Sequence, residues 1–331
     1  MRRVALGRMF GRMYAATAGR PAPVPTVYHP LYSAPLMPPG HRFPMPIFKT
    51  IHDRLIRTGV VAASQVHVPR LLGAADVKAV HCAAYVDRFF SGTLSAAEMR
   101  RIGLPWSELL VQRTLSELSG TLLAAELALT HGLATSCAGG THHAHFDYGA
   151  GFCIFNDLAL TTHSLLARGL VSRVLVVDLD VHQGDGTAAM LAAEPRAFTL
   201  SVHAADNFPA RKATSSLDVG LPTGTGDDAY LAAVAEALNH AIQSFKPDII
   251  LYDAGVDIHA GDALGKLAVS DDGLRRRDLL VLSTAAAAGI PLAGYVGGGY
   301  NSDLEVLAEL HCSLHRAAAE CWSMFKLNSF Q

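Results

Sequence analysis

The hydrophobic and polar positions of this 331-residue chain repeat with two periods. Apolar residues every three to four positions predict helices. The first covers 47–58, carried by Ile47, Phe48, Ile51, Leu55 and Ile56 and stopped by Gly59. A second covers 74–89, and a third covers 111–130, where Leu115, Leu118, Leu122, Leu123 and Leu129 keep the period and His131-Gly132 close it. Further helices are expected over 156–168, opened by Asn156, over 187–193, ended by Pro195, and over 227–245, 271–288 and 302–325. Short apolar runs between them predict buried strands at 134–138, 175–177, 198–203, 249–253 and 291–296. Residues 91–106 are mixed and predict no element. The Pro-rich 21–46 predict an ordered surface loop, and 205–226, full of turn formers, a long functional loop. Strands alternating with helices predict an α/β fold, a single domain built on a predominantly parallel sheet with helices on both faces.

Composition supports one large core. Half of the residues are hydrophobic and 17% are charged, which excludes a disordered chain and a coiled coil. The formal net charge of -2 supplies no overall field for nucleic acid or an anionic membrane. Apolar runs stop well short of the roughly 18 residues of a membrane span. Five cysteines, Cys82, Cys137, Cys153, Cys312 and Cys321, form no C-x-x-C pair and leave an odd count, which predicts reduced thiols. The first acidic residue is Asp53, while Arg2, Arg3, Arg8, Arg12 and Arg20 punctuate the beginning. Residues 1–22 therefore resemble an organellar leader, for a mitochondrion or a chloroplast, with a disordered basic tail of a cytoplasmic or nuclear protein as the alternative. The remaining 23–331 form the expected domain.

Chemistry collects just after the predicted strands. Asp178, Asp180 and His182 follow the strand 175–177 at alternate positions, and alternate side chains of an extended chain share a face. His142-His143, the stretch from Asp253 to Asp262, and Gly297 to Tyr300 each follow another strand. In a parallel sheet those ends share one edge, so the four clusters can meet in one pocket. Taken singly, each has a plain alternative: Asp178 as a helix cap, His182 as a surface loop residue, His142 and His143 as a solvated pair, Asp257 and Asp262 as turn residues, Tyr300 as a rim aromatic. Taken together they fit metal-assisted hydrolysis, which needs a cation, a base and a donor for the developing oxyanion.

The same residues carry a resemblance. Asp-Leu-Asp-Val-His-Gln-Gly-Asp-Gly, Gly-Gly-Thr-His-His-Ala, Gly-Phe-Cys-Ile-Phe-Asn-Asp, Ala-Gly-Asp and Gly-Gly-Gly-Tyr-Asn resemble the zinc-dependent histone deacetylase family, with its arginase/deacetylase fold. Asn-Phe-Pro-Ala-Arg-Lys near Asn207 is most similar to its class IV-like, bacterial and plant branch. The resemblance spans about His29 to Tyr300 and implies one zinc ion on Asp180, His182 and Asp262. It further implies His143 as general base and later acid, His142 as its electrostatic partner, and Asp178 and Asp185 behind the first and second histidine. Tyr300 would donate to the oxyanion, Phe152 and Phe208 would wall an acyl-lysine tunnel, and the Gly151 carbonyl would accept the substrate amide proton. A potassium ion would sit beneath on Asp178, Asp180, His182 and Ser201, largely through carbonyls.

Binuclear relatives of the same fold use Asp-x-His-x-Asp. Here the third position is Gly184, which predicts a single metal. Peptide-directed relatives also carry an acidic residue before the third helix. Glu98 and Glu108 fall in that region without matching a motif. The resemblance therefore implies deacetylation of acetyl-lysine in proteins, with small N-acetylated amines, of polyamine or arylalkylamine type, as an alternative substrate and a non-catalytic acyl-lysine binder as a third reading. No direct nucleic-acid or membrane partner is expected, and the sequence does not fix the oligomeric state.

Overall fold

A computed structural model describes residues 24–327; the leader proposed over 1–22 lies outside them. Among the described residues, eight strands form one sheet and ten α-helices cover it. In chain order the strands are β1 (Thr26–Val27), β2 (Val66–His67), β3 (Leu133–Ser136), β4 (Val174–Asp178), β5 (Ala197–Ala204), β6 (Leu217–Leu221), β7 (Ile249–Asp253) and β8 (Leu292–Tyr295). The helices are α1 (Ile47–Arg57), α2 (Ala74–Lys78), α3 (Ala83–Phe90), α4 (Ala96–Ile102), α5 (Glu108–His131), α6 (Asp157–Ala167), α7 (Asp185–Leu191), α8 (Asp227–Phe245), α9 (Asp271–Ala287) and α10 (Leu304–Phe325).

The sheet runs β2-β1-β3-β8-β7-β4-β5-β6, and every pair is parallel. Side chains on alternate positions of a strand point to opposite faces. On β4, Leu175 and Val177 join the larger core with residues of α8, α9 and α10, while Val174 and Val176 join the second core with residues of α5 and α6. Both faces are therefore dry, which explains the unbroken apolar strands. Among the described residues, no helix is long and apolar enough to cross a membrane.

Several expectations are corrected. The helix expected over 74–89 is two, because the chain breaks at residues 79–82 to turn His81 inward and let the Cys82 N–H bond the Phe146 carbonyl, 2.8 Å. The mixed stretch 91–106 contains α4, opened by a capping box in which Ser95 accepts from Glu98 N–H and the Glu98 carboxylate accepts from Ser95 N–H. The loop expected over 205–226 contains β6, an edge strand whose outer positions face solvent. The Pro-rich stretch is less superficial than expected: β1 sits between β2 and β3, and Tyr32 and Met45 are fully buried.

His81 ties these outer pieces to the strand-end loops. Its Nδ1 donates to the carbonyls of His145 and Phe146, 3.0 and 3.2 Å, and its Nε2 accepts from the Asn156 N–H, 2.9 Å. That pattern needs the neutral ring, and burial pushes its pKa down to about 4. Helix α5 is fixed by close approach: Gly120 faces Tyr32, and a Cβ there would overlap the tyrosine hydroxyl.

Gly120→Ala raises helix propensity by about 1 kcal/mol, yet overpacking against Tyr32 is expected to cost about 1–3 kcal/mol. Urea unfolding should show net loss, partly restored by adding Tyr32→Phe; a net gain contradicts the packing. His81 takes up its proton in the unfolded chain at a higher pH than in the folded one, so its contribution to stability is lost as pH falls from about 6.5 toward 4. Between pH 7 and pH 5 the wild type should lose on the order of 2 kcal/mol more than His81→Gln. Equal losses contradict the neutral ring.

Candidate active site

Parallel pairing brings the strand ends together. In register, Asp178 at the end of β4 lies beside Ser201 of β5 and Asp253 of β7, and Asp253 lies beside Tyr295 of β8. After β3 the chain turns through Gly139 and Gly140, both with positive φ, into the two histidines. Asp157, the first residue of α6, pins that turn by accepting from Gly140 N–H (2.9 Å), Thr141 N–H (2.8 Å) and the Thr121 hydroxyl (2.6 Å). Asn156 caps α6 through Oδ1 and with Nδ2 donates to the Ala144 carbonyl and the Thr187 hydroxyl. Neither role was legible in the sequence beyond the cap itself.

The two histidines sit 4.0 Å apart, ring centre to ring centre, each with its own carboxylate. His142 Nδ1 lies 2.8 Å from Asp178 Oδ2, and His143 Nδ1 lies 2.7 Å from Asp185 Oδ1. Asp185 is shared: its Oδ2 lies 2.9 Å from His145 Nε2, a partner no sequence motif singled out. All four members of the two pairs are buried. Their environments split the histidines. Burial pulls His142 down, but Asp178 and Asp180 together outweigh it and leave its pKa well above the ordinary range. Burial and the neighbouring His142 charge push His143 down to about 3, against the opposing pull of Asp185.

Asp180 and His182 converge as expected. His182 Nδ1 lies 2.9 Å from Asp180 Oδ1 and 3.1 Å from Asp257 Oδ2, and the three side chains offer ligand atoms within 4.8 Å of one another. One ring nitrogen facing two buried carboxylates needs a positive charge between them. The carboxylate and imidazole donors fit zinc. Asp257, a member of the strand-end cluster to which the resemblance gave no role, is thus part of the group; its other oxygen accepts from Val181 N–H, 2.8 Å. Asp262 stands nearer the rim, half-buried, with Oδ2 accepting from Tyr300 N–H (2.6 Å) and Oδ1 from Leu264 and Gly265 N–H (2.8 and 2.9 Å).

The remaining residues border the same cleft. Tyr300 lies 5.8 Å from Phe152 and 6.4 Å from His182 between ring centres, and Phe208 lies 4.8 Å from His143. Burial, with Asp180 and Asp257 adding to it, holds the Tyr300 pKa well above the ordinary value, so its hydroxyl keeps its proton. Gly151 threads between walls: a Cβ there would press on His143 Cδ2 at 2.6 Å and Phe208 Cε1 at 3.3 Å. Phe152 follows with φ 66°, a strained left-handed conformation for an aromatic residue. Ser201 Oγ lies 3.0 Å from His203 Nδ1 beneath the cluster. At Gly184 a Cβ would overlap the Asp178 carboxylate, so the backbone passes too close for any side chain at that position.

The histone deacetylase domain family model matches residues 41–317. An uncharacterized protein of Picosynechococcus sp. is 52% identical over 298 residues, covering 90% of this chain and 99% of that protein. Histone deacetylase 2 of Arabidopsis thaliana is 34% identical over 265 residues, 77% of this chain and 68% of the relative. The acetoin utilization protein AcuC of Staphylococcus aureus is 29% identical over 249 residues, 69% of this chain and 64% of the relative. Among solved structures, the HDA15 HD domain superposes with a TM-score of 0.72 at 19% identity, covering 92% of this chain and 94% of that one, and shows the shared fold. The matched family and the paired histidines and aspartates gathered at one sheet edge lead to one assignment: the chain belongs to the histone deacetylase family of hydrolases.

Proposed function

We propose that the protein removes acetyl groups from lysine side chains of proteins. The observation that carries this reading is the pair of buried histidine–aspartate couples beside the Asp180–His182–Asp257 group in one cleft. Zinc, one ion per chain on Asp180, His182 and Asp262 with Asp257 against His182, would supply a Lewis acid that polarises the amide carbonyl and acidifies water. The chain's own groups do the rest. With its Nδ1 proton directed to Asp185, His143 presents a free Nε2 lone pair that accepts a proton from the attacking water and later delivers it to the leaving amine. His142, held charged between Asp178 and Asp180, offsets negative charge that develops beside it. The Tyr300 hydroxyl donates to the former carbonyl oxygen. Phe152 and Phe208 line the apolar lysine stem, and the Gly151 carbonyl accepts the substrate amide N–H. Asp178, Asp180 and His182, largely through main-chain carbonyls, with Ser201 across the β4–β5 pair, would hold a potassium ion behind this centre.

One observation favours a second substrate class. Glu98, an acidic residue in the region where peptide-directed relatives grip substrate backbone, is committed to the Arg88 guanidinium at 2.7 and 2.9 Å and to Ser95 at the start of α4. A site without that grip suits a small N-acetylated amine as well as a peptide.

A hydrolysis panel of acetyl-lysine peptides and small acetylated amines tests both, with Tyr300→Phe alongside. The wild type should hydrolyse the peptides, and Tyr300→Phe should lower kcat by about 10²–10³-fold, as loss of an oxyanion donor does. Activity on the amines alone transfers the assignment to the second class. Wild-type rates in Tyr300→Phe contradict the oxyanion role, and failure on every substrate contradicts the reading.

A further inference from the structure

The two carboxylates behind the paired histidines are held in different ways. Asp178 faces His142 Nδ1 with Oδ2, and its Oδ1 accepts from the Asp180 backbone N–H at 3.2 Å. Asp185 has no such backbone donor among the described residues. Its Oδ1 faces His143 Nδ1 at 2.7 Å, and its Oδ2 faces His145 Nε2 at 2.9 Å. Lys212, the nearby ammonium, donates instead to the carbonyls of Asn207 and Pro209, 2.6 and 2.7 Å. Fixing the second oxygen of Asp185 therefore falls to the side chain of His145.

His145 is itself held in place. Its backbone N–H donates to the Tyr148 carbonyl at 2.9 Å, and its carbonyl accepts from His81 Nδ1 at 3.0 Å. Its ring stacks on Tyr148 with centres 4.4 Å apart and planes 15° apart, and the Arg101 guanidinium lies over the same tyrosine ring at 4.4 Å. Arg101 stands in the last turn of α4, where the carbonyls of Arg101 and Ile102 accept from the N–H groups of Gly151 and Phe152, 3.3 and 2.7 Å. One stacked column thus joins α4, the Gly151–Phe152 turn and Asp185. Burial raises the Asp185 pKa, yet the hydrogen bonds from His143 and His145 outweigh it and hold the carboxyl well below the ordinary range. An ionised carboxylate only accepts, so both nitrogens that face it carry hydrogens. Held at one oxygen, a carboxylate turns readily about its last torsion. Held at both, it presents Oδ1 to His143 in one orientation.

We propose that His145 is a positioning residue for His143, acting through Asp185: its Nε2–H locks the carboxylate that keeps the His143 proton on Nδ1 and aims the Nε2 lone pair into the cleft. The inference rests on the deacetylase reading above, in which His143 accepts the proton of the attacking water. His145 touches no reacting atom, so its effect falls on turnover and leaves substrate affinity and metal content alone.

The test compares the full-length wild type with His145→Phe, which keeps a ring on Tyr148 without the donor, and His145→Gln, which returns an amide N–H near the lost atom. Kinetics on an acetyl-lysine peptide, metal content and the imidazole N–H resonances of nitrogen-labelled histidine are read for each. In His145→Phe, kcat should fall about 10–100-fold with KM and metal content unchanged, and His145→Gln should recover most of the loss. The His143 Nδ1–H resonance should shift and exchange faster with solvent in His145→Phe and return in His145→Gln. Wild-type kcat in His145→Phe overturns the proposal, as do equal losses in both variants or a loss confined to KM or metal content. Should His145→Phe fail to fold, the wild-type spectrum decides: a His145 ring without a hydrogen on Nε2 overturns the proposal, and one bonded there to Asp185 supports it. His143→Ala separates the two claims. Full activity in that variant, or a wild type that hydrolyses nothing, contradicts the deacetylase reading, while the resonances decide the role of His145 without any substrate.

Discussion

The structure depends on compensating negative charge at one edge of an otherwise apolar sheet. Asp178, Asp180, Asp253 and Asp257 are all buried where β4 and β7 end. Carboxylates at such depth persist only when hydrogen bonds, imidazoles or cations answer them. Backbone N–H groups do part of this. Asp180 accepts from His182 and Gly298 N–H, Asp257 from Val181 N–H, and Asp157 from the turn that carries the histidines. The rest falls to His142, His143 and His182 and, on the proposed function, to a zinc ion. On the proposed function, catalytic power and local stability share one origin, because the groups that answer the carboxylates are those that would move protons.

Behind that edge, polar groups far from the reaction hold the loops at the required angle. Arg277, fully buried, donates to the carbonyls of Ala254 and Gly255 and pairs with Asp278, which also accepts from the hydroxyls of Tyr252 and Ser313. The loop carrying Asp257 and Asp262 is thereby fastened to α9 and α10. His81 and Asn156 do the same for the histidine loop. Phe208 is half-exposed, whereas His142, His143, Asp178 and Asp180 behind it are buried.

Elements with strong periodicity and clear caps were legible in the sequence. α8 and β7 fall on the residues expected for them, and α6 starts beside its Asn156 cap. The two-residue strands β1 and β2 were not, since two residues carry no period, and edge strand β6 reads as polar because one side of it faces solvent. The break between α2 and α3 was hidden because both halves keep apolar residues at helical spacing. At the site, clusters following strands announced themselves by position. His145 and His81 did not, and Asp253 and Asp257 stood in an announced cluster without legible partners, because the contacts of all four are set by loop paths and strand neighbours distant in sequence. Gly184 is the converse case: one absent side chain in the sequence becomes a close backbone pass against Asp178 in the fold.

On the proposed function, the acidic edge is a metal-dependent hydrolytic centre. The most direct measurement is acetate release from an acetyl-lysine peptide by the purified chain before chelation, after removal of bound metal, and after Zn²⁺ is returned. Loss of release on chelation and recovery with Zn²⁺ is the predicted result. Undiminished release from protein whose metal content has fallen below detection would contradict it.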